Sequence, residues 1–486
     1  MILPNLFLIH GLPQLRDSSL KSADRTLTAG FIVIGILVVA GVFTNTLYLV
    51  AGGIAAALLA GMFAANPTGL AAMLFGVQIV FTTGFLGSIS FYAGPFRLCM
   101  DNLLQMWILF LWIGAFIDGD GRTGKTKSGN LIIVLVSLGL FAFIHGIAAG
   151  YDAETAAVFL KTIMGYMFFF PAMWILKDRG KMRILVSTVL VASVIAAAWV
   201  IFKGYTGGEG VYLRQTSGLR VSSREVNVVV TGLLLVTMLL WKRYRGVHVV
   251  PSVAAILVMG AAILLGQSRA LWLAVSAGAL MAFVADMSRP GEGGFKLSRL
   301  VSRVLLLVVF IGGSIAFVAA AGLLSAADVA ARSGGADGGL AGDVSLWARF
   351  LSWWEIIRTV TASPLVLVFG TGFGHRITYF RPDLVAEVSI PYVDGSFFQL
   401  LLNQGLTGSL TLAFLYAGGI AGSFRTVLKT VSAGKTVLAL WLTASFTALT
   451  IAAFSGSLIT NYRFTSLWAF MFAILETIRV KSPRKS

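Results

Sequence analysis

The chain has 486 residues, 57% of them hydrophobic and 12% charged, with a mean hydropathy of +0.88 and a formal net charge of +17. So few polar groups cannot cover a water-exposed surface, which excludes an ordinary soluble domain and leaves a polytopic membrane protein. The lone cysteine, Cys99, excludes an intramolecular disulfide and reads as a small packing residue beside an apolar span.

In chain order, apolar runs long enough to cross ~30 Å of hydrocarbon as a helix fall at 29–45, 48–65, 70–90, 98–117, 130–148, 156–176, 184–202, 226–241, 249–266, 270–286, 304–324, 397–421, 436–454 and 463–478. That makes about fourteen spans. The runs lack the alternation of barrel walls, and an open sheet would strand backbone groups in lipid, so the expected fold is an all-α integral membrane bundle. Arg16, Lys21 and Arg25 precede the first run and no small-residue cleavage site follows it, so that run reads as an uncleaved anchor. The expected organisation is a cytoplasmic segment at 1–28, transmembrane helices over 29–202, core transmembrane helices with arginine-bearing external loops over 203–324, a large external loop at 325–396, closing transmembrane helices over 397–478 and a basic cytoplasmic tail at 479–486. Charges are nearly absent within the spans, which argues against an ion or proton path at the midplane.

The basic residues set the orientation. With a cytoplasmic N-terminus, alternate connections hold Arg122, Lys125 and Lys127; Lys177, Arg179, Lys181 and Arg183; Lys242, Arg243 and Arg245; Arg289, Lys296, Arg299 and Arg303; then Arg425, Lys429 and Lys435. The tail adds Arg479, Lys481, Arg484 and Lys485. The positive-inside rule places all of these, and both termini, in the cytoplasm. Most of the net charge is therefore topology rather than a nucleic-acid surface. The remainder faces outward and is nearly all arginine: Arg214, Arg220, Arg224, Arg269, Arg332, Arg349, Arg358, Arg376 and Arg381, with Lys161 and Lys203 the exceptions. A guanidinium fork grips phosphate oxygens in a bidentate way, so an outward arginine cluster beside lipid points to a phosphate-bearing ligand. Ion pairs with Asp337, Asp343, Glu355 or Glu387 are the plain alternative. Arg220 and Arg269 stand at the outer mouths of spans, where an unengaged charge is costly.

Four segments carry candidate chemistry. Loop 203–225 is polar and Gly-rich and ends in Arg220, Ser222, Ser223 and Arg224, with Asn227 opening the next span; amides at a helix start beside arginine forks make an anion cradle. The run GQSRALW sets Gln267, Ser268 and Arg269 in a tight external turn. Over 345–362, Trp347, Phe350, Leu351, Trp354 and Ile357 recur at helical spacing, with Arg349, Ser352 and Glu355 elsewhere around the helix. That pattern predicts an amphipathic helix on the membrane surface, serving either as a lid or as a substrate contact. After Pro364, Gly370, Gly372 and Gly374 allow a sharp turn and close approach of another backbone or a ligand, without the strand–helix setting of a dinucleotide site. His375 follows, a general base for a hydroxyl or else a locally bonded loop histidine. Asp394, before Gly395 and Ser396, is the rival base, or else a satisfied loop anion with Ser396 as a helix cap. No metal-ligand spacing, P-loop or nucleophile elbow occurs.

The runs ARFLSWWEIIRTVTASPLVLVFGTGFG and DGSFFQLLLNQGLTGSL, with GLRVSSREVN and GQSRALW upstream, resemble in order the motifs of the O-antigen ligase and O-antigen polymerase superfamily. The resemblance covers the part from about residue 200 to 425. It implies a GT-C-like bundle and a metal-independent inverting glycosyltransferase without a cofactor, working on the outer face of the cytoplasmic (inner) membrane. The implied donor is an oligosaccharide on undecaprenyl diphosphate, and the implied acceptor a glycan, with a lipid-linked glycan favoured. Membrane lipids and a chain-length regulator are further candidate partners; nucleic acid is not. In this reading Arg220 and Arg269, with Arg214 and Arg224, hold the diphosphate. Arg349, Gln399 and Asn227 contact substrate or acceptor, and Asp394 or His375 takes the proton. Ligases of the family present a His-Asn pair where this chain has Asp394-Gly395, which favours the polymerase branch: repeat units joined into O-antigen, capsular or exopolysaccharide. Transfer to a lipid A-core or protein acceptor by a ligase is the alternative. A flippase or transporter of lipid-linked sugar is the alternative of another class; it calls for internal repeats, which the two halves do not display, and for buried polar residues along a path.

Overall fold

The computed structural model describes residues 67–81, 90–93, 96–206, 211–214, 218–221, 226–242, 248–266, 268–289, 344–382, 385–456 and 464–480. The spans expected at 29–45, 48–65 and 304–324, and the basic tail from 481, lie outside the described residues.

Every apolar run that falls within them is helical. The helices are α1 Pro67–Phe81, α2 Met100–Ile117, α3 Lys127–Ala148, α4 Ala153–Met164, which continues through a 3-10 turn Gly165–Phe168 into α5 Phe169–Ile175, then α6 Arg179–Thr206, α7 Val226–Trp241, α8 Val249–Leu265 and α9 Arg269–Met287. In the large loop lie α10 Val344–Thr361 and α11 Pro364–Phe369, followed by α12 Ser396–Lys429, α13 Ala433–Ser455 and α14 Thr465–Val480. Among the described residues, six stretches are long and apolar enough to cross a membrane: Lys127–Ala148, Ala153–Ile175, Arg179–Gly204, Ala270–Met287, Ser396–Lys429 and Ala433–Phe454. The chain is a helical membrane protein. Among the described residues, sheet enters only in the connections, as antiparallel hairpins that the all-α expectation did not include: β1 Ser90–Ala93 with β2 Phe96–Cys99, β3 Val211–Arg214 with β4 Gly218–Val221, and β5 Ile377–Arg381 with β6 Ala386–Ile390. In a hairpin each strand supplies the other's backbone partners, so a polar loop needs no helix to satisfy its amides.

Lipid is as apolar as a leucine side chain, so helices in it associate through close packing and interhelical hydrogen bonds rather than through burial from water. Small residues supply the close contacts. A Cβ at Gly278 of α9 would lie 2.4 Å from the Ala444 carbonyl of α13, and one at Gly232 of α7 would lie 2.1 Å from the Ser193 Cβ of α6. Ser193 Oγ meets the Val228 carbonyl (2.9 Å) across the same crossing, and Trp441 Nε1 donates to the Thr231 carbonyl (2.9 Å). α7 and α14 are buried almost throughout, while α3 turns Ile133, Leu140, Phe141 and Ile144 outward, as lipid-facing helices must.

Contacts between helix ends sort the bundle into two poles. At one, Trp241 Nε1 donates to Asp286 (3.0 Å), Lys242 pairs with the same carboxylate (2.5 Å), and Arg289 donates to the Thr430 carbonyl (2.6 Å), joining the ends of α7 and α9 to the start of α13. Trp174 donates to Asp120 (3.1 Å), and Ser128 at the start of α3 donates to Glu476 near the end of α14 (2.6 Å). At the opposite pole Gly266 faces Val226, Ser396 Oγ donates to the Gly456 carbonyl (3.2 Å), and the Phe373 amide donates to the Ala142 carbonyl of α3 (2.9 Å). The first pole holds Arg122, Lys125, Lys127, Lys177, Arg179, Lys181, Lys242, Arg289, Lys429 and Lys435. Glu476 corrects the expectation that the spans are nearly free of charge: it is buried inside the run at 463–478, tied to Ser128 and to Arg479 (3.3 Å).

Candidate functional site

From Val344 onward the large loop is folded at the second pole. α10 turns Ala348, Ser352, Ile356 and Val360 inward, and Ile356 and Val360 pack with Ile377, Val393 and Leu402 into a small core separate from the main one. The stripe Trp347, Phe350, Trp354 and Ile357 is exposed on the other side, with Trp354 66% exposed. A helix with two apolar faces has one for protein and one for lipid.

The glycine-rich turn proves to be a backbone joint. α12 is broken at Gly405 (φ 66°, ψ −163°), which frees carbonyls in the turn before it. The Thr371 amide (2.8 Å) and hydroxyl (3.0 Å) both donate to the Leu402 carbonyl, and the Gly372 amide donates to the Asn403 carbonyl (3.2 Å). Gly370, Gly372 and Gly374 all have positive φ, and a Cβ at Gly372 would sit 2.7 Å from the Gly146 amide nitrogen of α3. Gly146 in turn could carry a Cβ only at 2.0 Å from the Phe373 carbonyl oxygen. Of the two occupants expected beside this run, the structure shows another backbone.

His375 emerges from that joint half-buried, its Nδ1 3.1 Å from the Tyr151 hydroxyl and its ring edge-on to Tyr151. Burial pushes its pKa below the ordinary histidine value, which keeps the imidazole neutral at pH 7. Beside it, the hydroxyl and amide of Thr155 hold the Asp152 carboxyl below its usual range, with Arg376 adding to the effect. Arg376 itself spans the β5–β6 hairpin to the Ser389 carbonyl (2.7 Å).

Asp394 is exposed, and its Oδ2 accepts from Arg349 Nε at 3.1 Å. Its carbonyl accepts from Trp353 Nε1 (2.7 Å), and Trp353 stacks on Phe398 with centroids 4.6 Å apart and planes 8° apart. Of the two roles expected for this carboxylate, the geometry contains the loop anion's ion pair, and the side chain stays 55% exposed. Ser396 is not the helix cap: Gly395 holds the N-cap position at φ 100°, and the serine hydroxyl goes to Gly456 instead. Gln399, expected to touch substrate or acceptor, is buried and braces the chain: its Oε1 accepts the Val393 amide (2.6 Å) and its Nε2 donates to the Pro391 carbonyl (3.3 Å). Both ends are spent on shaping the turn that presents Asp394. Arg349 likewise has a protein partner in Asp394.

The arginine-bearing segments are brought together in backbone terms. The β3–β4 hairpin sets Arg220 opposite Tyr212 and Arg214 opposite Gly218, and β4 packs on α6 and α8. Gly266, at the end of α8, lies against Val226 at the start of α7, so buried Asn227 and Arg269, first residue of α9, occupy adjacent helix ends. Arg224 lies outside the described residues. α9 runs antiparallel to α13, whose C-terminal end meets Ser396, so Arg269 and Asp394 share a pole. Phe159 of α4 stacks on Phe373 (5.7 Å) and lies tilted against Tyr392 (5.0 Å), touching both the glycine-rich turn and the segment that leads to Asp394.

Three residues escaped the sequence reading. Tyr151 carried no signal, because its meeting with His375 joins positions 224 apart. Trp353 stood next to the periodic Trp354 and was eclipsed by it. Arg97 adds a further arginine on β2, a strand that packs on α4. Among the described residues, no group of three or more His, Cys, Asp or Glu is placed to hold a metal ion. No protein-family model matches the chain, and no curated protein matches it.

Proposed function

We propose that the chain is a membrane glycosyltransferase of the O-antigen polymerase type, joining oligosaccharide repeat units carried on undecaprenyl diphosphate at the outer face of a bacterial cytoplasmic membrane. The observation that carries this reading is the segregation of charge: the segments bearing Arg214, Arg220, Arg269, Arg349, His375 and Asp394 share one pole, and the lysine-rich connections occupy the other. The positive-inside rule assigns the lysine-rich pole to the cytoplasm, which turns the arginines outward. About fourteen spans in a GT-C-like arrangement, with both termini inside, belong to the same proposal.

In this mechanism the guanidinium groups of Arg220 and Arg269, with Arg214 and Arg224, bind the donor's diphosphate and stabilise the charge that grows as the anomeric C–O bond breaks. The acceptor hydroxyl attacks the anomeric carbon from the opposite face, a new C–O bond forms with inversion, and undecaprenyl diphosphate departs. The hydroxyl proton goes to His375 or to Asp394. His375 is neutral and so able to accept it, while Asp394 must first exchange its contact with Arg349. The exposed face of α10 keeps the folded loop against lipid, where a polyprenyl donor resides.

Purified protein incubated with lipid-linked repeat units is expected to give a ladder of lengthening glycans that Arg269→Ala abolishes. An intact ladder in that variant would remove the mechanism. A single transfer to a lipid or protein acceptor would assign the ligase activity instead. One observation favours a second reading, transport of the lipid-linked sugar: Asn403, Gln404 and Glu476 are polar groups buried within the bundle. Movement of donor across proteoliposomes without glycan growth would establish it.

A further inference from the structure

The break in α12 is accompanied by an anomaly that the arginine pole does not absorb. Asn403 and Gln404, the two residues before Gly405, are 0% and 1% exposed, and among the described residues none of their four side-chain polar atoms makes a hydrogen bond. A buried amide without a partner forfeits its full hydration, so two adjacent amides in a bundle core call for a partner that is not protein. Gln404 extends over Gly408 toward Gly139 of α3: a Cβ at Gly408 would lie 2.4 Å from its Oε1, and one at Gly139 would lie 3.4 Å from its Nε2 and 2.9 Å from Ile163 Cγ2. The next turn of α12 and the facing turn of α3 thus both present bare backbone where the amide reaches. Directly above, the carbonyls of Leu402 and Asn403 are already taken by Thr371 and Gly372, so the break itself is satisfied while its side chains are not.

We infer that Asn403 and Gln404 form a buried binding site for neutral hydroxyl groups at the junction of α3, α4 and α12. An amide pair offers donors and acceptors in equal measure and no charge, which suits a hydroxyl that both donates and accepts and does not suit an ion. The hydroxyl comes either from ordered water or from a sugar; only the sugar source rests on the glycosyltransferase reading.

The test is an experimental density map of the full chain in nanodiscs, at a resolution that shows water, together with thermal unfolding of the wild type, Asn403→Leu and Gln404→Met with and without maltotriose. Non-protein density within hydrogen-bonding distance of both amides, with a lowered melting temperature in each variant, is the expected result. If water is the source, maltotriose leaves the wild-type melting temperature unmoved. If a sugar is the source, maltotriose raises it in the wild type and in neither variant. Amides bonded only to protein atoms in the map would overturn the inference whatever the variants do, and so would a pair of apolar variants both more stable than the wild type. Because the map and the melting curves need no transferase activity, failure of the site and failure of the proposed function are separately visible.

Discussion

His375 shows how one side chain's surroundings decide its chemistry. Desolvation lowers its folded-state pKa below the unfolded value of about 6.5, so the native protein binds fewer protons than the unfolded chain as pH falls through that value. The stability it confers is present above that point and lost on acidification. Between about pH 7.5 and pH 5 the melting temperature should therefore fall, and His375→Gln should flatten that slope; an unchanged slope would show that the imidazole is not buried as described. If His375 is the base, glycan growth should vanish over the same interval, whereas a variant that keeps growing glycans assigns the proton to Asp394. The ion pair of Asp394 is solvent-accessible, so breaking it should cost at most about 1 kcal/mol. Asp394→Asn and Arg349→Ala should then melt near the wild type, and any large loss of glycan synthesis in them reports chemistry rather than folding. In the sequence Asp394 is legible as a carboxylate at the threshold of a span and His375 as an outward loop histidine after the glycine run. The bracing of Gln399 was not, because it depends on a chain reversal that brings Pro391 and Val393 onto its amide.

At the scale of elements, apolar length predicted the helices well, since a run such as 130–148 has no other way to satisfy its backbone in lipid. The predicted span 397–421 begins with α12 but stops eight residues short of its end at Lys429, and the break within it was hidden. Gly405 within NQGLTG carries no local sign that the preceding carbonyls are capped by residues more than thirty positions earlier. The joint between Gly146 and the 370–374 turn makes a sharp prediction. Gly146→Ala forces a methyl onto the Phe373 carbonyl, and overpacking of this kind costs about 1–3 kcal/mol or more. Gly418→Ala has open space around the new methyl within the same α12 and should stabilise by about 0.5–1 kcal/mol. Equal melting temperatures for the two variants would mean that the joint is loose. The hairpins were missed for a related reason: strand pairing within a polar loop leaves no periodicity comparable to a buried face.

For the whole molecule, charge pattern and packing give the same division into two poles, and the contacts that establish it, such as Arg289 with Thr430 and Ser396 with Gly456, join distant parts of the chain. Topology follows as a prediction. With Cys99 replaced, a cysteine at Glu387 should react with a membrane-impermeant maleimide in intact cells, and one at Lys125 should react only after lysis; the reverse pattern would invert the molecule. The exposure of Trp354 and its neighbours on α10 belongs to this scale too, because an apolar outer face of this kind marks a contact with something outside the chain, and the proposal assigns it to the bilayer. The side chains of Arg220 and Arg269 must converge for the proposed chemistry to run. A structure determined with undecaprenyl diphosphate bound tests that directly: the account predicts both guanidinium groups within hydrogen-bonding distance of the phosphates at the pole that carries Asp394, and phosphates bound at the lysine-rich pole, or away from both arginines, would contradict it.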